Sequence, residues 1–225
     1  MSQPRRNLKK SLEPRLEEAK AGTRAVFFVD AAHFVFGPFL GIVWCFQRLF
    51  VKAPSGRQRL NVLAAWHAIT HELFTVQNLT YITSETVCEL LRLLAGAYPG
   101  TPITIILDNA RYQRCRLVQD VAQTLGIELL FLPTYSPTLN LIERLWKFVK
   151  KKCLYSKYYP DSMSFQKAIL DGLEQVPTTY KAELETMLTL RFQTFKAVPV
   201  VGETPKVCLF PVAQQAKKKV SSIAA

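Results

Sequence analysis

Acidic side chains are scarce: 17 Asp and Glu stand against 29 Lys and Arg, a formal charge of +12. A charge that far from zero favours a polyanionic partner or an anionic membrane surface, with nucleic acid the first candidate. No Cys-x-x-Cys pair occurs, and the five cysteines, at 45, 88, 115, 153 and 208, are odd in number. Neither a disulfide framework nor a thiolate zinc site is indicated, and the compartment reads as reducing. Long apolar runs are missing too. The longest uncharged stretch, Ala31 to Gln47, is broken by His33, Gly37, Pro38 and Gly41, and the opening Met-Ser-Gln-Pro-Arg-Arg has no signal-peptide core. The expectation is a cytoplasmic chain, neither secreted nor membrane-spanning. What is present is enough apolar matter, 49% of 225 residues, to bury a core without staples.

Along the chain, residues 1 to 24 carry seven basic and three acidic side chains and a helical stretch at Leu12 to Lys20. They read as a basic arm without a core-forming face. Strands are expected at Ala25 to Val29, ending at Asp30, at Gly41 to Phe46, at Arg59 to Trp66 and at His71 to Gln77, with a turn at Pro54-Ser55-Gly56. Thr83-Ser84-Glu85 opens a helix with Val87, Leu90, Leu91 and Leu94 on one face, and Pro99-Gly100 stops it. Ile103 to Leu107 and Ile127 to Leu132 read as buried strands either side of a helix through Leu117, Val118, Val121 and Leu125. After the turn Pro133-Thr134-Tyr135-Ser136-Pro137, a strong helix spans about Thr138 to Leu154. A meander followed by alternating strands and helices predicts an α/β fold, a mixed five-stranded sheet flanked by helices. The domain expected is 25–195, with further helices over 164–195 and a flexible tail at 196–225.

Three carboxylates stand out. Asp30 and Asp108 each follow an apolar strand, at the end where ligands collect in such sheets. A lone carboxylate there is costly unless a cation accompanies it. The alternative is local: Asp108 caps the helix beginning near Ala110, and Asp30 opens a turn before Phe34. At 100° per residue, Leu139, Ile142, Leu145, Trp146, Val149 and Cys153 share one stripe, and Glu143 lies on its rim with Lys147 and Lys150. Such a position suits a metal site beside a phosphate backbone. Asn140-x-x-Glu143 is also the spacing of a capping box, and both readings stay open.

The order and spacing of the three resemble a known family. Phe27-Phe28-Val29-Asp30, Ile106-Leu107-Asp108-Asn109-Ala110-Arg111-Tyr112 and Ser136-Pro137-Thr138-Leu139-Asn140-Leu141-Ile142-Glu143-Arg144-Leu145-Trp146 are similar to the three blocks of DDE transposases of bacterial insertion sequences related to the mariner superfamily. The 34 residues between Asp108 and Glu143 match that superfamily's separation. The resemblance covers residues 25 to 195 and implies a ribonuclease H-like fold. It departs at Gln113, where relatives often have His, and at Leu141, where they often have Pro. Relatives usually begin with helix-turn-helix modules, whereas 29 residues precede Asp30. The expectation is therefore a catalytic half, either the second reading frame of a split element, working with a separately encoded or frameshift-fused helix-turn-helix partner, or a truncated copy.

What the resemblance implies is a polynucleotidyl transferase acting on DNA, element ends and target alike, as a homodimer on the nucleoid. It uses two Mg²⁺ ions, with Mn²⁺ as substitute, an assignment that agrees with an all-oxygen ligand set. Asp30 would bridge the ions, Asp108 and Glu143 would each hold one, and Asn109 would orient Asp108. Around them, Arg57, Arg59, Arg111, Arg114, Arg144, Lys147, Lys150 and Lys151 are candidates for phosphate contacts, since Arg144 to Lys157 holds six cations and no acid. Trp146 and Tyr112 could stack on an unpaired base, although Trp146 lies on the core stripe. His67 and His71 have the spacing of a helical zinc pair but fall on strand and turn without a third ligand, so zinc is rejected. His33 is close to Asp30 in sequence, and the cysteines read as small core residues. The competing functions are a nuclease or resolvase that cuts without joining, and a non-catalytic DNA-binding remnant of a mobile element.

Overall fold

The computed structural model describes residues 3–37, 46, 58–133 and 140–190, with side chains from residue 10 onward. Five strands form one sheet: β1 (Ala25–Val35), β2 (Arg59–His67), β3 (Leu73–Asn78), β4 (Ile103–Leu107) and β5 (Ile127–Phe131). Their order is β3-β2-β1-β4-β5. The β1–β2 and β2–β3 pairs are antiparallel, whereas β1–β4 and β4–β5 are parallel. This is the mixed sheet expected from a meander followed by βαβ alternation. The strand expected at Gly41 to Phe46 (save Phe46 itself), the turn at Pro54-Ser55-Gly56, Arg57, the turn residues from Thr134 to Pro137 and the tail 196–225 lie outside the described residues.

Helices cover both faces. Alternation along β1 sends Val26, Phe28, Ala32 and Phe34 to one side, where they meet α1 (Gln3–Lys20), α4 (Ile142–Cys153) and α5 (Ser162–Glu174) in one core. Ala25, Phe27 and Val29 go to the other side, against α2 (Ser84–Ala97) and α3 (Arg116–Thr124). The shorter α6 (Lys181–Met187) adds Leu184 to the first core. Thr83 caps α2, its hydroxyl accepting from Thr86 N–H while the Thr86 hydroxyl answers the Thr83 N–H. Gly126 ends α3 at φ +66°, a conformation that favours glycine.

Four expectations need correction. Within the expected arm, Gln3–Lys20 is a packed helix: Leu12, Leu16 and Ala19 fall at i, i+4 and i+7 and are buried. Ion pairs tie it down, Arg15 to Glu128 at 2.8 Å and Arg24 to both Glu18 and Glu128, so a narrow apolar stripe suffices. β5 is an edge strand among the described residues, and only Ile127 of it is buried, because none of them pairs beyond it. Leu117 faces solvent while Ala122 takes its place in the core. The long helix is shorter than expected among the described residues, and Phe148 joins its buried face because Tyr180 packs edge-on to it.

Where α4 crosses α5, Gly172 allows the helices to touch: a Cβ there would lie 2.3 Å from Cys153 Sγ. Gly172→Ala should therefore destabilise the protein by about 1–3 kcal/mol through overpacking. Denaturant unfolding will show this as a lower midpoint at unchanged slope, and Cys153→Ala in the same chain should return most of the loss.

Candidate active site

The parallel register fixes the centre. Phe28 pairs with Ile106, and there the β1–β4 ladder ends, so Asp30 and Asp108 both stand two residues past the last pair on adjacent strands. Both continue the parity of Phe28 and Ile106, which face the α4 side of the sheet. Asp30 is not at a strand end, as the sequence suggested, because β2 goes on pairing with β1 as far as Val35. It is at the end only with respect to β4. Asp108 follows β4, and Glu143 comes from the first turn of α4, which packs on β1.

Electrostatics ties the three together. Burial pushes the Asp30 carboxyl up to about 6, and the charges of Asp108 and Glu143 push the same way, against a hydrogen bond from the Ala31 backbone and one from Trp146. Glu143 is also raised, by burial first; Lys147 opposes that shift and Asp108 adds to it. Tyr112 reaches about 12 through burial and the charges of Asp108 and Asp30, so its hydroxyl shares the field. Among the described residues no three His, Cys, Asp or Glu side chains are grouped closely enough to hold a metal ion as they stand. The donor chemistry nevertheless fits a hard divalent cation: the raised carboxyls of Asp30 and Glu143, the carboxylate of Asp108 that acts on both, and buried Asn109 Oδ1 and Asn140 Oδ1 with no partner among the described residues.

The local alternatives resolve separately. Asp108 Oδ1 accepts from Ala110 N–H at 3.3 Å, a long turn contact that leaves its other oxygen free of it. No capping box forms at α4: its N-cap is Leu141, without a side-chain cap, and Asn140 Nδ2 instead donates to the Val29 carbonyl at 3.2 Å. Trp146 is buried, edge-on to Phe34, and its Nε1–H donates to Asp30 Oδ2 at 3.1 Å. That burial removes it as a base-stacking platform. Its contact with Asp30, and the Asn140 contact, are what the sequence reading missed; both residues flank Glu143 at three-residue spacing, but spacing does not name a partner on β1.

The basic residues divide. Arg111 and Arg114 are exposed at the 3₁₀ turn that follows Asp108, with the Arg114 guanidinium 5.6 Å from the Phe131 ring at the adjacent strand end. Lys147 is exposed beside Glu143, Lys151 is exposed, and Lys150 sits 5.9 Å from the Phe34 ring. Arg59 is not with them. It pairs with Val35, five residues beyond Asp30 and so about 17 Å along the strand, and stacks on Tyr81 at 4.2 Å. Arg144 donates to the Met187 carbonyl at the end of α6 (3.1 Å). His33 Nδ1 meets Asn61 Oδ1 at 2.7 Å and has the parity of the opposite face, away from Asp30. His67 Nδ1 accepts from the N–H groups of Ile69 and Thr70, and His71 stacks on Trp66. Cys88 and Cys153 are buried, Cys115 is half-buried, and Cys45 and Cys208 lie outside the described residues.

Two acidic residues just past the end of the β1–β4 ladder, faced by a glutamate on a covering helix, sit on a mixed sheet whose fold is similar to that of solved transposase catalytic domains. A family model for the DDE superfamily endonucleases matches residues 46–166, and the chain belongs to that family. An uncharacterized 39 kDa protein of insertion element IS630 from Shigella sonnei is 27% identical over 135 residues, 59% of this chain. The chain spans 39% of that relative's length. Among solved structures, the Mos1 transposase paired-end complex with the left transposon end superposes with a TM-score of 0.55 at 17% identity, covering 84% of this chain and 62% of that one. The catalytic domain of Mos1 mariner transposase gives 0.52 at 15% identity, covering 84% and 96%. The Mos1 paired-end complex with Mg gives 0.56 at 15%, covering 87% and 64%. No helix among the described residues is long and apolar enough to cross a membrane.

Proposed function

We propose that this chain is the catalytic part of a transposase, cutting DNA at the ends of a mobile element and joining the freed 3′ end to target DNA. The observation that carries the reading is placement: Asp30 and Asp108 each stand two residues past the last β1–β4 pair, and Glu143 is in the first turn of the helix that packs on β1. Support comes from family membership and from the relative's description as an insertion-element protein. In this reading Asp30, shared between two divalent ions, Asp108 and Glu143 would hold those ions, with Asn109 orienting Asp108. Mg²⁺ or Mn²⁺ bound there would supply activation of the attacking oxygen and stabilisation of the leaving oxygen in an in-line displacement. Solved Mos1 complexes contain Mg and Mn, which agrees with such use.

The chain's own groups prepare that site. Trp146 occupies one oxygen of Asp30, and Lys147 offsets the charge of Glu143. Arg111, Arg114, Lys147, Lys150 and Lys151 bind the DNA backbone, Arg57 adds to them from outside the described residues, Arg59 acts at a distance of about 17 Å along β1 from Asp30, and Arg144 is engaged by the Met187 carbonyl. The catalytic body is 25–195, extended by α1, with 196–225 as a tail. It works as a dimer on nucleoid DNA with a helix-turn-helix partner that reads the element ends.

Without that partner, affinity for duplex DNA should show little sequence preference and fall steeply with salt. Changing Lys147 and Lys150 together to Ala should weaken binding and reduce the log–log salt slope by roughly 2, one counterion set per lost phosphate contact. Fluorescence titration at several salt concentrations measures this. Salt-insensitive, sequence-selective binding by the unmodified chain would count against the proposal.

A further inference from the structure

We propose that Asn140 and Trp146 form a two-point clamp that holds the Glu143 helix against the Asp30 strand, with the Trp146 indole N–H orienting the Asp30 carboxylate toward a divalent cation. The inference rests on the metal-dependent reading above and assigns positioning residues to it. Glu143 lies midway between the two, three residues after Asn140 and three before Trp146. Both partners lie on consecutive residues of β1: Asn140 Nδ2 donates to the Val29 carbonyl, and Trp146 Nε1 to Asp30 Oδ2. Two anchors bracketing one residue fix both the distance and the rotation of α4 about that residue, which a single contact cannot do.

Each anchor is buried and rigid. Asn140 is 4% and Trp146 5% exposed, and the indole is held edge-on by Phe34, centroid to centroid 6.0 Å. The Val29 carbonyl is the first beyond the end of the β1–β4 ladder, so Asn140 takes over where strand pairing stops. Core packing alone does not dictate what an indole N–H meets here. Trp66, in the same core, keeps its Nε1 buried with no partner among the described residues. With Oδ2 engaged by a donor, Asp30 presents a defined oxygen to a cation instead of a freely rotating pair, the role that partners behind metal ligands play elsewhere.

The test compares Trp146→Phe, which keeps an aromatic ring and removes the donor, with Phe34→Leu, which loosens the same packing and keeps the donor. The probe is Mn²⁺ alone, titrated to millimolar levels, and the readout is the rise in melting temperature with metal concentration. Trp146→Phe should raise the half-saturating Mn²⁺ concentration roughly 10–100-fold, and Asn140→Leu, which removes the other donor without adding a charge, should raise it as well. Phe34→Leu should lower the metal-free melting temperature yet leave half-saturation within about twofold of wild type. Equal Mn²⁺ response in wild type and Trp146→Phe would overturn the clamp and leave the metal site standing. Equal weakening by Phe34→Leu and Trp146→Phe would assign the effect to packing and also overturn it. A wild-type protein that ignores Mn²⁺ would overturn the metal reading itself, and the clamp with it.

Discussion

Asp30→Asn should make the metal-free protein more stable at pH 7 while removing its response to divalent metal. In the native state the Asp30 carboxyl titrates near 6, above its ordinary value of 3.8, chiefly because burial penalises the charge and secondarily because Asp108 and Glu143 repel it. A raised carboxyl pKa means that the native state holds a proton the unfolded chain has already released. The contribution of Asp30 is therefore most favourable below about pH 4, declines as pH rises through 6, and is least favourable above that. The shift of roughly two units corresponds to about 3 kcal/mol at most, so the neutral amide should recover about 1–3 kcal/mol at pH 7 and almost nothing at pH 4. In a protein of this size that is a rise of several degrees in melting temperature. The difference between wild type and variant, measured with chelator across pH 4 to 8, isolates Asp30 from the oppositely shifted Glu72 and Glu128. A difference that stays flat with pH would remove the strain assigned to this site. Adding Mg²⁺ should reverse the order, because a cation binds the charged form of the wild type and has one ligand fewer in the variant.

Glu143→Gln should cost little stability and nearly all activity. No capping interaction depends on this side chain, since Asn140 is turned to Val29, so the helix loses nothing at its start. Its carboxyl is raised by burial and by Asp108, and Lys147 only partly offsets this. The amide should then leave the metal-free melting temperature level or slightly higher. Strand cleavage should fall by roughly 10³-fold or more, the scale expected when one member of a set acting as a unit is removed. Nicking of supercoiled plasmid in Mn²⁺ compares the two chains directly. A variant that nicks as well as wild type would take Glu143 out of the site.

Periodicity and order made much of this architecture legible. Ile103 to Leu107 is uninterrupted by polar side chains except Thr104 and lies inside the sheet between β1 and β5, buried on every residue. The helical stripe of α4 placed Glu143 at the rim of the core, where it is half-buried. Contacts that depend on side-chain direction across long sequence separations were not legible. Trp146 was correctly a core residue, yet nothing in a helical repeat reveals that its N–H meets a carboxylate 116 positions earlier. Arg59 and Arg144 belong to the basic clusters of the sequence, but one stacks on Tyr81 and the other holds the end of α6. α1 was hidden for a different reason: three apolar residues look too few for a core until the Arg15–Glu128 pair shows what else secures the helix.

Joining of a pre-cut DNA end is the most direct measure of whether these carboxylates carry strand chemistry. A duplex with a free 3′-hydroxyl is incubated with a target plasmid, Mn²⁺ and the chain, together with the helix-turn-helix partner, and joined products are counted for wild type, Asp108→Asn and Glu143→Gln. Joined products from wild type, absent without metal and lost in both variants although all three bind the duplex equally, are the expected result. Joining that persists in the variants or without divalent metal would contradict the assignment, and so would a wild-type chain that nicks the plasmid but never joins the end.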